Sequence, residues 1–296
     1  MRSYAVSAVG HVAIQVKDLE AAVDHAISVM GLRVSERTDD RVDLTHGATH
    51  HSLQYYRSEV DAFDHVGLEA DGSDALDAIR ERLAEREIPL LTESPLDDQI
   101  EEGFSFEAPG GFVFEVYTGM PRSEPAYSPT GVRPIKFGHV NFALQDPEAL
   151  IDVLLGVLDF RISDRFRGGA FTRCNVEHHG IGVLRGDGVL AHHAWEVQSI
   201  ADLGHLADLL DAQGTNVLAG PIRHGIGDNI ATYMQGPAGV LVEYYTDMLR
   251  IYDESTYEPG TWDEDGYKWF TRWSPALPGP EVRQMSLAPA PTLARA

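Results

Sequence analysis

The chain has 296 residues, 43% of them hydrophobic, enough to bury two cores rather than one. Its 46 acidic and 23 basic residues give a formal charge of −23, which excludes nucleic acid and anionic membranes as partners, since both need a basic patch. No run of about 18 apolar residues and no apolar leader is present, and the single cysteine, Cys174, allows no internal disulfide and no Cys-rich zinc module, so a cytoplasmic protein is expected.

Residues 9–16 alternate as a strand does, with His11, Ala13 and Gln15 on one face and Val12, Ile14 and Val16 on the other. Asp18 is placed to cap a helix whose Ala22, Val23, Ala26, Ile27 and Met30 recur at helical spacing, and Gly31 ends it. Short strands at 32–38, 41–45 and 51–57 complete a βαβββ unit. A second unit opens at 64–69, passes through a helix capped by Ser73 with Leu76, Ile79 and Leu83 inward, and ends on a strand at 112–117. Pro121, Pro125, Pro129, Gly131 and Pro134 then mark a linker.

The pattern restarts at 137–144, and Asp146-Pro147 supplies an N-cap with proline at the first helical position. A fourth unit runs from 192–197 through a helix ending near Ala212 to Glu243. Beyond Leu249 the repeat stops and a tail carries Tyr252, Tyr257, Trp262, Tyr267, Trp269, Phe270 and Trp273. Aromatics this dense predict that 251–283 folds back over a domain, across a site mouth, while 287–296 frays. The expected fold is α+β: domains at 1–122 and 136–250, a linker at 123–135 and a tail at 251–296, each domain two paired βαβββ modules forming a cupped or incomplete-barrel mixed sheet.

The two halves repeat at a fixed offset. Glu115 and Glu243 stand 128 residues apart (243 − 115), as do His11 and His139, and His65 and His193. Singly, each would read as an ordinary strand histidine or edge glutamate; together, at matched positions of a duplicated unit, His139, His193 and Glu243 read as metal ligands. Two imidazoles and a carboxylate on separate strands occupy one face of a divalent ion and leave other positions open, which suits Fe(II), with Mn(II) as its rival. His192 and His193 are neighbours and only one can point into the cup. The offset selects His193, because Asp64 stands opposite His192.

Gly138-His139-Val140, His192-His193-Ala194, the stretch 220–225 (Gly-Pro-Ile-Arg-His-Gly) and the stretch 237–243 (Pro-Ala-Gly-Val-Leu-Val-Glu) resemble type I extradiol ring-cleaving dioxygenases of the vicinal oxygen chelate superfamily, over about residues 8–250. The resemblance implies iron in the second domain on His139, His193 and Glu243, with His179 as an acid/base near oxygen, and His224 with Tyr233 as partners of the substrate oxygens. It implies a catechol and O2 as substrates, and homo-oligomers are usual in the family. His178 adjoins His179, and the strand after Gly180 favours His179. The first half keeps His11, His65 and Glu115 and also His50-His51, but has Leu96 and Ser105 opposite His224 and Tyr233, so it is expected to be a structural or vestigial copy.

Two other readings stand beside this one. A glyoxalase-like isomerase or metal-dependent transferase shares the fold, with Glu177 the extra carboxylate at hand; a non-enzymatic binder of aromatic ligands shares it too, but has no reason to keep the ligand set. Arg167, Arg173, Arg223 and Arg272 are candidates to meet a substrate carboxylate, and Trp195 with the tail aromatics would suit a larger ring system.

Overall fold

The computed structural model describes residues 4–262, 266–273 and 285–291. The first half runs β1 (Val6–Val16), α1 (Leu19–Ser28), β2 (Arg33–Arg37), β3 (Arg41–Thr45), β4 (Leu53–Arg57), then β5 (Ala62–Ala70), α2 (Ser73–Glu85), β6 (Leu90–Thr92), β7 (Glu102–Ala108) and β8 (Phe112–Thr118). That is βαβββ twice. The second half repeats it: β9 (Lys136–Leu144), α3 (Pro147–Gly156), β10 (Arg161–Phe166), β11 (Gly169–Arg173), β12 (Ile181–Arg185), β13 (Val189–Glu196), α4 (Ile200–Ala212), β14 (Ala219–Arg223), β15 (Ile230–Gln235) and β16 (Leu241–Thr246), with β17 (Gly260–Trp262) from the tail.

Each half forms one open mixed sheet, ordered β2-β3-β4-β1-β5-β8-β7-β6 and β14-β15-β16-β13-β9-β12-β11-β10-β17. The opening strands of paired modules lie antiparallel at the sheet centre, as β1 with β5 and β9 with β13. Each also runs parallel to the closing strand of its own module. The centre of each sheet therefore sets the opening and closing strands of both modules side by side.

Local signals account for most of the boundaries. The Asp18 carboxylate accepts the Ala21 amide at 3.0 Å and starts α1. Ser73 is not the cap of α2: Gly72, at φ 91°, takes that place, a conformation that suits glycine. Cys174 is buried just past β11 rather than within it. The halves share a continuous core, in which Phe63, Phe112 and Phe142 meet with centroids 4.4–5.9 Å apart. The linker is docked too, since the Val132 amide donates to Val29 and Gly131 lies so close to Gly31 that a Cβ would meet its nitrogen at 2.4 Å.

The tail folds back in two places. β17 pairs with β10, and the Asp164 carboxylate accepts the Gly260 amide at 2.7 Å and the Trp262 indole N–H at 2.8 Å. Farther along, the expectation that 287–296 frays is corrected for its described part. Leu287 exchanges two backbone hydrogen bonds with Leu190 of β13, and Ala288 and Ala290 bond both sides of Phe63 in β5, so an apolar strap ties the halves together; 292–296 lie outside the described residues. Tyr252 and Trp273 are exposed, contrary to the expectation for the aromatic tail.

Candidate metal centre

His139 lies on β9, Glu243 on β16, and β13 runs between them. Ala194 of β13 is directly opposite both His139 and Glu243, so these three side chains share one face. Side chains alternate along a strand, so His192, two residues from Ala194, joins that face and His193 takes the other. His139 Nε2 and His192 Nε2 are 3.3 Å apart, and each faces Glu243 Oε2, at 3.5 and 3.1 Å. The ligand-type set is therefore His139, His192 and Glu243.

This corrects His193. Its imidazole is fully buried on the core side, where it accepts the Trp195 indole N–H at 2.8 Å, and burial, then the neighbouring His192, pulls its pKa down to about 3. The reason is a one-residue difference in a hairpin. Four residues, 58–61, join β4 to β5, but only three, 186–188, join β12 to β13, so the offset on that strand drops to 127 (192 − 65). A slip of one residue exchanges every side chain between faces. Trp195 is likewise in the core, not at a substrate ring.

Around the three donors lies a cavity of about 320 Å3. His179 borders it, its ring 4.4 Å from that of His139 between centroids. His178 turns away to Asp164, at 3.2 Å, so the choice of His179 over His178 agrees with the geometry. His224 and Tyr233 meet on the cavity wall, Nε2 to Oη at 2.8 Å. The tail sets the sense of this bond: His224 Nδ1 donates to the Phe270 carbonyl, which leaves Nε2 as the acceptor for the Tyr233 hydroxyl proton. Burial drives the Tyr233 phenol well above its ordinary value, reinforced by Glu243, and lowers His179 and His224.

Asn229, which no sequence motif marks, orients Glu243. Its Nδ2 donates to Glu243 Oε1 at 3.0 Å, fixing the carboxylate so that Oε2 faces the histidines. Burial raises the Glu243 carboxyl, but His139 and His192 more than offset this and hold it well below the usual range. One carboxylate oxygen and two imidazole nitrogens, 3.1–3.5 Å apart on one cavity wall, fit a divalent first-row ion with positions left open toward the cavity.

The remaining wall is largely apolar: Phe171, Leu184, Ile226, and from the tail Trp269, Phe270 and Met285. Trp269 and Phe270 are held there by the 223–226 loop, whose Gly225 and Ile226 amides bond the Trp269 carbonyl, while the Arg272 amide bonds that of Arg223. Three of the four arginines proposed for a substrate carboxylate are engaged elsewhere. Arg173 pairs with Glu254, Arg223 with Asp247 at 2.8 Å, and Arg272 with Asp228 at 2.6 Å. Glu177 pairs with Lys136 and Arg250 rather than bordering the cavity, whereas Arg185, passed over in the sequence, does border it.

Comparison with known proteins agrees with this architecture. The chain is 23% identical over 305 residues to the manganese-dependent 2,3-dihydroxybiphenyl 1,2-dioxygenase of Geobacillus genomosp. 3, covering 93% of this chain and 94% of that one. It is 24% identical to a metapyrocatechase of Geobacillus stearothermophilus, covering 87% and 86%. Among solved structures, the Mn(II)-bound glyoxalase from Novosphingobium aromaticivorans superposes with a TM-score of 0.84 at 25% identity, over 97% of this chain and 95% of that one. The profile of the Glyoxalase/Bleomycin resistance protein/Dioxygenase superfamily matches residues 8–116 and again 136–244, once per half, and the chain belongs to that superfamily.

Proposed function

We propose that this protein is an extradiol dioxygenase that opens the ring of a catecholic substrate beside its two hydroxyls, using O2 and one Fe(II) or Mn(II) ion held by His139, His192 and Glu243. The observation that carries the reading is the meeting, in one apolar-walled cavity, of that three-donor face with His179 and with the Tyr233–His224 pair. The names of the dioxygenase relatives support the reaction class, and two of the compared proteins are named with manganese.

The bound ion would supply a Lewis-acidic, redox-capable centre that brings catechol and O2 together. The chain's own residues do the rest. Tyr233, its proton held by His224, presents a phenolic oxygen able to accept a hydrogen bond from a catechol hydroxyl. The Phe270 carbonyl keeps His224 in the tautomer that this requires. His179, on the wall beside His139, is placed to take up or return a proton as the ring opens. Phe171, Ile226 and Phe270 close the apolar sides, excluding water and packing an aromatic ring.

Anaerobic reconstitution with Fe(II) or Mn(II), followed by air and a panel of catechols, tests this directly. Oxygen uptake matched to a yellow product, both lost in His192→Ala, is the expected result. Bound metal with no uptake on any catechol, and turnover of a thiohemiacetal instead, would transfer the site to the glyoxalase reading that the Novosphingobium structure represents.

A further inference from the structure

We propose that the first half holds a second, closed divalent-metal site on His11, His65 and Glu115, with a structural rather than a substrate-binding role. His11 Nε2 lies 3.2 Å from both His65 Nε2 and Glu115 Oε2, and the third edge of the triangle is 3.9 Å. Donors about 2.0–2.2 Å from one ion, at angles between about 90° and 110°, stand roughly 3.0–3.5 Å apart, so a small contraction closes the set.

What surrounds these donors argues against a decayed copy. The Asp64 carboxylate accepts from His65 Nδ1 at 2.7 Å and is itself held by the Gln15 amide at 2.7 Å. A proton on Nδ1 leaves the His65 Nε2 lone pair aimed at His11 and Glu115, the carboxylate–histidine relay that orients metal-bound imidazoles. The second half has Ala191 at the position of Asp64, so this orienting group belongs to the first half alone. Glu115 Oε1 accepts the Leu96 amide at 2.6 Å, doing for this carboxylate what Asn229 does for Glu243, while Oε2 faces the two imidazoles.

All three residues are 0% exposed, and no arginine or lysine pairs with Glu115 among the described residues. A fully buried carboxylate facing two inward imidazole nitrogens is a donor set that a shared divalent cation would compensate. Gly67 makes the room. It sits opposite both His11 and Glu115 in the sheet, and a Cβ there would fall 2.0 Å from His11 Cε1. The neighbouring cluster of Asp43, His50, His51 and Asp97 differs, because the Arg41 guanidinium already lies 3.2 Å from Asp43 and 3.6 Å from Asp97. An ion on His11, His65 and Glu115 would join β1, β5 and β8 and so lock the two modules of this half together.

The test counts metal and needs no turnover. The 296-residue chain is stripped with chelator under argon, dialysed against Mn(II), freed of excess, and analysed for manganese by mass spectrometry. Two ions per wild-type chain are expected, one in His139→Ala/His192→Ala, which leaves the first half untouched, and none when Glu115→Gln is added. One ion per wild-type chain, or none in the His139→Ala/His192→Ala protein, overturns the proposal. Should either multiple variant fail to fold by circular dichroism, the wild-type count decides, with Glu115→Gln alone expected to reduce two ions to one.

Discussion

The two cups of this protein carry the same donor triad in the same strand register, and only one is open. In both, a small residue on the central strand, Gly67 or Ala194, separates a histidine from a glutamate, and a second histidine lies two residues before it. In the first half the three donors are sealed, with Ser105 rather than a tyrosine paired across from Glu115 and tied to Thr92 at 2.8 Å. In the second, Tyr233 pairs across from Glu243, His192 keeps 8% exposure, and the tail roofs a cavity over the set. Sheet register alone brings these side chains together. Loops and tail decide whether it can do chemistry, because they set access, proton partners and solvent.

The sharpest way to break this comparison is through β13. His192→Ala is expected to abolish metal-dependent oxygen uptake, by at least about 10³-fold, whereas His193→Ala keeps its metal and loses about 3 kcal/mol of stability, from a cavity and an unpartnered Trp195 N–H. Metal analysis and denaturant titration of both variants decide the matter, and the reverse pattern would restore the 128-residue register. A smaller effect separates Tyr233 from Ser105. Tyr233→Phe is expected to slow turnover about 10²-fold with metal retained, and Ser105→Ala to leave oxygen uptake unaltered. Equal rates for the two variants would remove Tyr233 from the reaction.

The tail contributes next. Phe270→Ala removes a ring that stacks on Tyr233, centroids 6.2 Å apart, but keeps the backbone carbonyl that fixes His224. It should raise KM about 10-fold and leave the pH profile of kcat in place, reflecting roughly 1.5 kcal/mol of lost apolar contact. A changed pH profile with unchanged KM would mean that the ring, not the carbonyl, governs His224.

The mildest test concerns the seam between the halves, where His25 lines a crevice against β15 and His46 packs edge-on to Trp195. Burial lowers both imidazoles to about 4, from an ordinary value of 6.5. Between those pH values the unfolded chain binds protons that the folded one refuses, so stability falls as pH falls, by up to about 1.4 kcal/mol per pH unit for each. Asp43, raised to about 6 by burial, opposes one of them over part of that range. Denaturant titrations from pH 6.5 to 4 should show this loss, with a flatter slope in His25→Leu; a flat wild-type profile would contradict it.

The sequence by itself determined the βαβββ repeat, its duplication, and the presence of a two-histidine, one-glutamate set in each half, because hydrophobic periodicity and matched spacing are local properties of the chain. It also determined His179, His224 and Tyr233 as candidates, through their resemblance to extradiol dioxygenases. Tertiary structure alone decided which of His192 and His193 faces inward, since a hairpin shorter by one residue reverses a strand's faces without disturbing its composition. It also decided that Asn229 and the Phe270 carbonyl complete the site, and that Asp64 and Gln15 orient the first-half histidine. Apart from the adjacent Asp64 and His65, those partnerships join residues 14–49 positions apart by side-chain geometry, which no spacing along the chain encodes.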